Sequence, residues 1–263
     1  MKIKHLISIL LVVFSVLTTF SQNKQFKVHT VAFYNFENLF DTINDPDTYD
    51  EEYTPVNGWT KKNYQKKLDN LSRVLNELGT SEVQKNSPVI IGACEVENRS
   101  VLEDLVRHPA LIKKGYKVVH FDSPDKRGID VGFLYQEKLF QPTSYINIPL
   151  YVYESEASSK KNKNEEDDKE ENINYDIKTK RIYTRDQLLV TGLLEGEEIN
   201  VIVNHWPSRS GGEKRSSPYR EAAGRLNRKI MDSIVKINPK AKFITMGDLN
   251  DGPYNKSVKQ GVG

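Results

Sequence analysis

The sequence predicts an α/β protein, and three observations carry that expectation. Short β-prone apolar runs alternate with segments whose apolar residues recur at helical spacing. The 263 residues are 37% hydrophobic and 28% charged, an ordinary globular composition with material for a buried core. Several of the strand-like runs end in polar residues, as expected where a rigid sheet delivers side chains to converging loops.

The elements follow in order. Residues 28–36 (VHTVAFYNF) form a strand candidate ending at a polar turn. From Lys61 to Leu78, apolar side chains at Tyr64, Leu68, Leu71, Leu75 and Leu78 define one helical face, and Gly79 is placed to stop it. Residues 88–94 are nearly all apolar, the pattern of a strand covered on both faces, and place Cys94 as a buried small residue. Ser100 is the expected cap of a helix reaching about Arg107. Strands are expected at 116–121 and 129–135, around the turn 123–128 (SPDKRG). Further strands are predicted at 187–194, 199–205 and 243–246, with a helix from about Pro218 to Ile237 before the last.

Two segments stand apart. Residues 1–21 begin with Lys2 and Lys4 and continue through the apolar run 6–17, shorter than the ~20 residues that cross a bilayer. A leader cleaved before Gln22 is therefore expected, leaving an exported protein, periplasmic or secreted, without stable membrane association. Residues 154–172 hold eight acidic and four Lys residues and almost nothing apolar, which predicts a solvated insertion within a single domain spanning 22–263.

Charge excludes one class of function. The chain has 38 Lys and Arg against 36 Asp and Glu, but both excess charges are Lys2 and Lys4. The remainder is neutral, so a strong global basic field is not the basis of function. A single Cys allows no internal disulfide.

Four strand-like runs end in groups suited to phosphate or metal chemistry: Asn35, Glu95, His205 and the pair Asp248/Asn250. Glu95 can supply a hard oxygen to a divalent cation, and His205 can donate to a phosphate oxygen. In extended chain the Asp248 and Asn250 side chains point the same way, able to orient a water and bond a phosphoryl oxygen; the same Gly-Asp-x-Asn string also fits an Asx turn.

The strings 33–41 (FYNFENLFD), 95–99 (EVENR), 127–131 (RGIDV), 204–209 (NHWPSR) and 247–251 (GDLND) together resemble the endonuclease/exonuclease/phosphatase superfamily, particularly its exported bacterial members. The resemblance implies a four-layer α/β/β/α sandwich of two mixed sheets flanked by helices, and a divalent-metal-dependent phosphoester hydrolase. It places Asn35 and Glu95 at the metal, with Glu95 the direct ligand, and His205 against the scissile phosphate. Asp248 would orient or deprotonate the attacking water, and Asn250 would steady the phosphate in the transition state. Asn35, Arg127 and Asp130 would face the substrate phosphate, with Arg209, Arg215 and Arg220 as a basic rim. Mg2+ is the implied cofactor, with Mn2+ or Ca2+ as alternatives. A phosphodiester, nucleic acid above all, is the leading substrate, and a sugar-, lipid- or inositol-phosphate the next.

One departure goes with the match. The family pattern continues to a later Asp and a Ser-Asp-His-like motif, whereas no His follows His205 here. The expectation is therefore a domain lacking its C-terminal strands. Its rival functional reading is a truncated or degenerate member that binds metal or phosphate without turnover.

Overall fold

The computed structural model describes residues 27–154 and 174–263. The expected leader at 1–21, and all of the expected insertion except Glu154, lie outside the described residues.

The first sheet contains β1 (Val31–Leu39), β2 (Ile90–Val96), β3 (Tyr116–His120) and β4 (Asp130–Gln136) in the order β1-β2-β4-β3. β1 and β2 are parallel and joined through helix α1 (Lys61–Glu77); the other pairings are antiparallel. α1 is capped by Thr60, whose Oγ1 accepts from Asn63 N, and it buries Leu68, Leu71 and Leu75, the face that the spacing predicts. Helix α2 (Arg99–Arg107) covers the same side with Val101, Leu102, Leu105 and Val106. Its cap is Asn98, not Ser100: the Asn98 amide oxygen accepts from both Ser100 N and Val101 N.

The second sheet repeats this plan. It opens with β5 (Phe140–Ile148), which the sequence did not predict, because Pro142 interrupts it at a bulge and most of its residues face solvent. The chain then forms a small ribbon of β6 (Val152–Tyr153), β7 (Tyr175–Asp176) and β8 (Arg181–Ile182), whose two-residue strands are too short to leave a sequence period. It returns with β9 (Gln187–Leu194), β10 (Glu197–His205) and β11 (Phe243–Asp248), giving the order β11-β10-β9-β5. β10 and β11 are parallel and joined through α3 (Glu213–Ile237). α3 begins five residues before the expected start at Pro218, within a helix that accommodates the missing N–H. The short α4 (Lys256–Gly261) packs on α3 at Gly224, where a Cβ would lie 2.4 Å from the Ser257 carbonyl oxygen.

The sheets pack face to face. Ile90, Cys94, Val131 and Phe133 of the first meet Phe140, Val190, Val201 and Val203 of the second in one apolar layer. Gly92 allows close approach there, since a Cβ would fall 2.4 Å from Met246 Sδ. The outer face of the first sheet packs on α1 and α2, while Trp206 packs with Tyr219 and Ala223 of α3. The result is the mixed four-layer sandwich.

Gly247 fixes the end of β11 beside β10. Its φ is +155°, and a Cβ would sit 2.2 Å from the Asn204 carbonyl oxygen, a backbone atom that cannot rotate away. Gly247→Ala is expected to cost about 2–3 kcal/mol of unfolding free energy, measurable by urea denaturation. Unchanged stability would show that β11 can shift away from β10.

Candidate active site at the strand ends

Four strands deliver the site. Asn35 on β1, Cys94 on β2, His205 on β10 and Asp248 on β11 continue the rows of side chains that face the inter-sheet core, so they meet where that core opens. The two parallel pairs end together here, as in other α/β sheets whose crevices lie beyond the carboxyl ends of the strands.

Two bulges adjust the aim. The β1–β2 register shifts between Asn35 and Leu39, and the β2–β4 register shifts between Cys94 and Val96. Glu95 is the extra residue of the second bulge, with φ +59°. Among the described residues, six non-glycine positions have positive φ, and four of them (Glu37, Asn38, Glu95 and Asn250) lie in these strand-end segments. Such concentration of unfavourable backbone is typical of sites whose geometry is held by the surrounding fold.

Asn35 is the centre of the arrangement. Its Nδ2 donates to Glu95 Oε1 at 3.0 Å and to Asp248 Oδ2 at 3.3 Å, while its Oδ1 accepts from Glu37 N at 2.7 Å. The expected extended pairing of Asp248 with Asn250 is replaced by a turn. Asn250 has φ +51°, its N–H donates to Asp248 Oδ1 at 3.0 Å, and its Nδ2 donates to the Trp206 carbonyl at 3.0 Å. The Asx turn and the cluster of polar groups therefore coexist.

His205 is buried, and a ligating atom of its ring lies within 4.8 Å of Cys94 and Asp248. Burial, with the guanidinium groups of Arg185 and Arg127 nearby, holds its pKa well below the ordinary imidazole value. Burial, and then the Glu95 and Asp248 carboxylates, push the pKa of the Cys94 thiol up.

The donor set fits a hard cation. Glu95 and Asp248 present two carboxylates to one amide, and among the described residues neither has a Lys or Arg within ion-pair distance. Mg2+-like ions take one or two carboxylates together with substrate oxygens and water.

The remaining predicted residues divide. Arg127 lies beside the site, its Nε 3.4 Å from Asp125 Oδ1. Asp130 is not brought to the cluster. It is buried against His120 Nε2 at 3.2 Å and accepts from Ser123 N at 2.8 Å, so it anchors the turn that carries Arg127. Arg220 is no rim residue: it is fully buried, with Nε 2.7 Å from Asp251 Oδ1. Arg209 donates to the Asn250 carbonyl at 2.9 Å, bracing the turn after β11.

Arg185 is a site residue to which no sequence motif points. It is buried, with Nη1 2.7 Å from Asp125 Oδ2 and Nη2 2.8 Å from the Trp206 carbonyl. Burial alone would raise the Asp125 carboxyl, but Arg185 and Arg127 hold it below its ordinary value. A lone Arg at the start of a strand is indistinguishable in sequence from a solvated one.

The fold and the site define a class: a two-sheet α/β sandwich carrying carboxylates, an amide and a neutral His at one end. Residues 30–164 and 159–263 match the Endonuclease/Exonuclease/phosphatase family, and the chain belongs to that family of phosphoester hydrolases. An endonuclease/exonuclease/phosphatase family protein from Bacteroides thetaiotaomicron shares the fold at TM-score 0.52 and 13% identity, over 88% of this chain and 66% of that one. A mannosyl-6-phosphatase from the same species gives TM-score 0.50 and 13% identity, over 88% and 68%. The human nocturnin catalytic domain is 18% identical with TM-score 0.45, over 65% and 55%. This chain thus spans between 55% and 68% of the length of these three structures. No curated protein matches the chain.

A depressed pKa keeps the His205 ring neutral in the folded protein at pH values where the unfolded chain is protonated. Its contribution to stability is present above the ordinary value of 6.5 and is lost as pH falls toward the folded value. In a nuclear magnetic resonance titration of 15N-His-labelled protein, His205 is expected to remain neutral at pH 6. A midpoint near 6.5 would show the ring to be solvated.

Proposed function

We propose that the chain is a divalent-metal-dependent phosphoester hydrolase, with Mg2+ as the metal and a phosphodiester, nucleic acid above all, as the substrate. The observation that supports this best is the convergence of Asn35, Glu95, His205 and Asp248 from four strand ends, with two carboxylates sharing one amide. Glu95 would hold Mg2+, with Asn35 beside it positioning the carboxylate by its Nδ2–H, and the ion would supply Lewis acidity and neutralise charge on the phosphoryl oxygens; Mn2+ or Ca2+ are the alternative ions.

The chain's own residues then act as follows. Asp248 accepts a proton from a water aligned with phosphorus, and the Asn250 turn holds that carboxylate by its backbone N–H. Water oxygen bonds to phosphorus as the bond to the ester oxygen breaks, and the departing alkoxide is protonated from solvent. His205, neutral, donates to a non-bridging oxygen on which charge develops. Arg127 supplies a fixed positive charge beside it.

A second reading, a phosphorylated sugar as substrate, is favoured by the mannosyl-6-phosphatase that shares the fold. The test uses the purified chain with Mg2+ on DNA, RNA, bis(4-nitrophenyl) phosphate and mannose 6-phosphate. Turnover of a phosphodiester is expected, abolished by EDTA, restored by Mg2+, and lowered ~10²–10⁴-fold by Asp248→Ala. Absence of turnover on every substrate, or turnover indifferent to Asp248→Ala, would overturn the proposal.

We also propose export. The support is the composition of residues 1–21, a short basic start followed by an apolar run too short to span a bilayer. N-terminal sequencing of protein expressed in a Gram-negative host should begin at Gln22; a start at Met1 would refute cleavage.

A further inference from the structure

The turn that carries Arg127 is held by a residue that belongs to none of the sequence motifs. Asn174, buried just before β7, ties that turn to the ribbon. Its Oδ1 accepts from Lys126 N at 2.7 Å, its Nδ2 donates to Asp125 Oδ1 at 3.3 Å, and its carbonyl accepts from Tyr183 N at 2.6 Å. We infer that Asn174 is a positioning residue: it fixes the direction in which Arg127 leaves the backbone, and so places the guanidinium for the substrate phosphate. The inference rests on the hydrolase reading above and adds to it a residue that acts through Arg127.

Two constraints give Asn174 this leverage. The first is on the backbone. Lys126 precedes Arg127, and both of its main-chain polar groups are engaged: the N–H by Asn174, and the carbonyl by Tyr49 N at 2.7 Å. The peptide planes on either side of Lys126 are thus bonded to two separate segments of the chain. Gly128 then closes the turn at φ +69°, a left-handed conformation that glycine adopts without steric cost.

The second constraint is on the Asp125 carboxylate, whose side chain is fully buried. It accepts from Arg127 N at 3.0 Å, from Arg127 Nη2 at 3.4 Å and from Arg185 Nη1 at 2.7 Å. Among the described residues Asn174 supplies its one neutral side-chain donor. The two arginines approach the carboxylate as cations, and the amide helps set the plane in which it meets them.

An asparagine suits both constraints. One side chain presents an acceptor and a donor side by side, matching an N–H and a carboxylate on neighbouring residues. A carboxylate at this position would repel Asp125. An apolar side chain would leave Lys126 N–H without its acceptor and Asp125 without its neutral donor.

The test uses the full chain and two variants of similar shape, Asn174→Leu and Asn174→Asp, each made also in an Arg127→Ala background. With Mg2+ and bis(4-nitrophenyl) phosphate, each single variant is expected to lower kcat roughly ten- to a hundredfold, with a much smaller change in KM. In the Arg127→Ala background the same changes are expected to cost less than about twofold, because a residue that acts through Arg127 has nothing left to place. Two variants are used so that a loss of folding in one, seen in its melting curve, leaves the other to decide.

A second readout needs neither metal nor turnover. The Arg127 Nε–H signal in a 15N–1H spectrum is expected to move and to exchange faster with solvent in both variants, while that of Arg220, paired with Asp251, stays in place. An equal fall in activity in both backgrounds, or an Arg127 signal that both variants leave unmoved, would overturn the positioning role and leave the hydrolase reading standing. A wild-type chain without turnover, whose Arg127 signal nonetheless moves in the variants, would sink the hydrolase reading and leave the hold on Arg127 in place.

Discussion

The hydrogen bonds of one amide tie the two sheets together at the point where chemistry is expected. Asn35 belongs to the first sheet and reaches Glu95 beside it and Asp248 across the inter-sheet layer. Without that bridge, two carboxylates would face each other at the mouth of an apolar core, with no Lys or Arg within ion-pair distance among the described residues. The core beneath fixes how far apart they sit: Gly92 against Met246, and Phe133 against Phe140, set the spacing of the sheets. The position of the carboxylates is thus a consequence of apolar packing well below them.

A second junction, the Trp206 carbonyl, supports the opposite wall. It accepts from Arg185 and from Asn250, while the Trp206 N–H donates to the Asp248 carbonyl. Strands β10 and β11, the turn after β11 and the loop before β9 therefore meet at the backbone of one residue. Trp206 itself is buried against Tyr219 and Ala223 of α3, and its Nε1 donates to Asn204 Oδ1 at 3.0 Å. Asn204, next to His205 in sequence, points to the other face of the sheet and holds the helix side. The alternation of the strand assigns one residue to the site and its neighbour to the scaffold.

Much of this was legible in sequence where the physics is local. Continuous apolar runs marked β2, β9 and β10, and the spacing of Leu68, Leu71 and Leu75 marked the buried face of α1. The strand-end positions of Asn35, Glu95, His205 and Asp248 were equally visible, because a polar residue closing an apolar run is a local signal. What depended on tertiary contact was not. β5 carries Pro142 and an exposed face, so neither period nor propensity identifies it. The bulge at Glu95 involves no glycine, and the left-handed backbone there has no sequence mark. Asp130 has the composition of a phosphate-site residue, but its pairing with His120 is set by β3 lying beside β4. Arg185 and Arg220 are both buried arginines that resemble surface ones until their carboxylate partners, Asp125 and Asp251, are placed in space.

The electrostatic plan follows from the same placement. A neutral chain attracts phosphate only where charge is local and desolvated. Arg127 and Arg185 both pair with the carboxylate of Asp125. Burial, and then these two guanidinium groups, hold the pKa of the His205 imidazole well below its ordinary value. A neutral ring can donate one proton to an oxygen without adding a full positive charge next to two guanidinium groups. On the proposed reading the arrangement separates the tasks: arginines would supply fixed charge on one side, carboxylates would take a cation and a water on the other, and His205 would act between them as a dipolar donor.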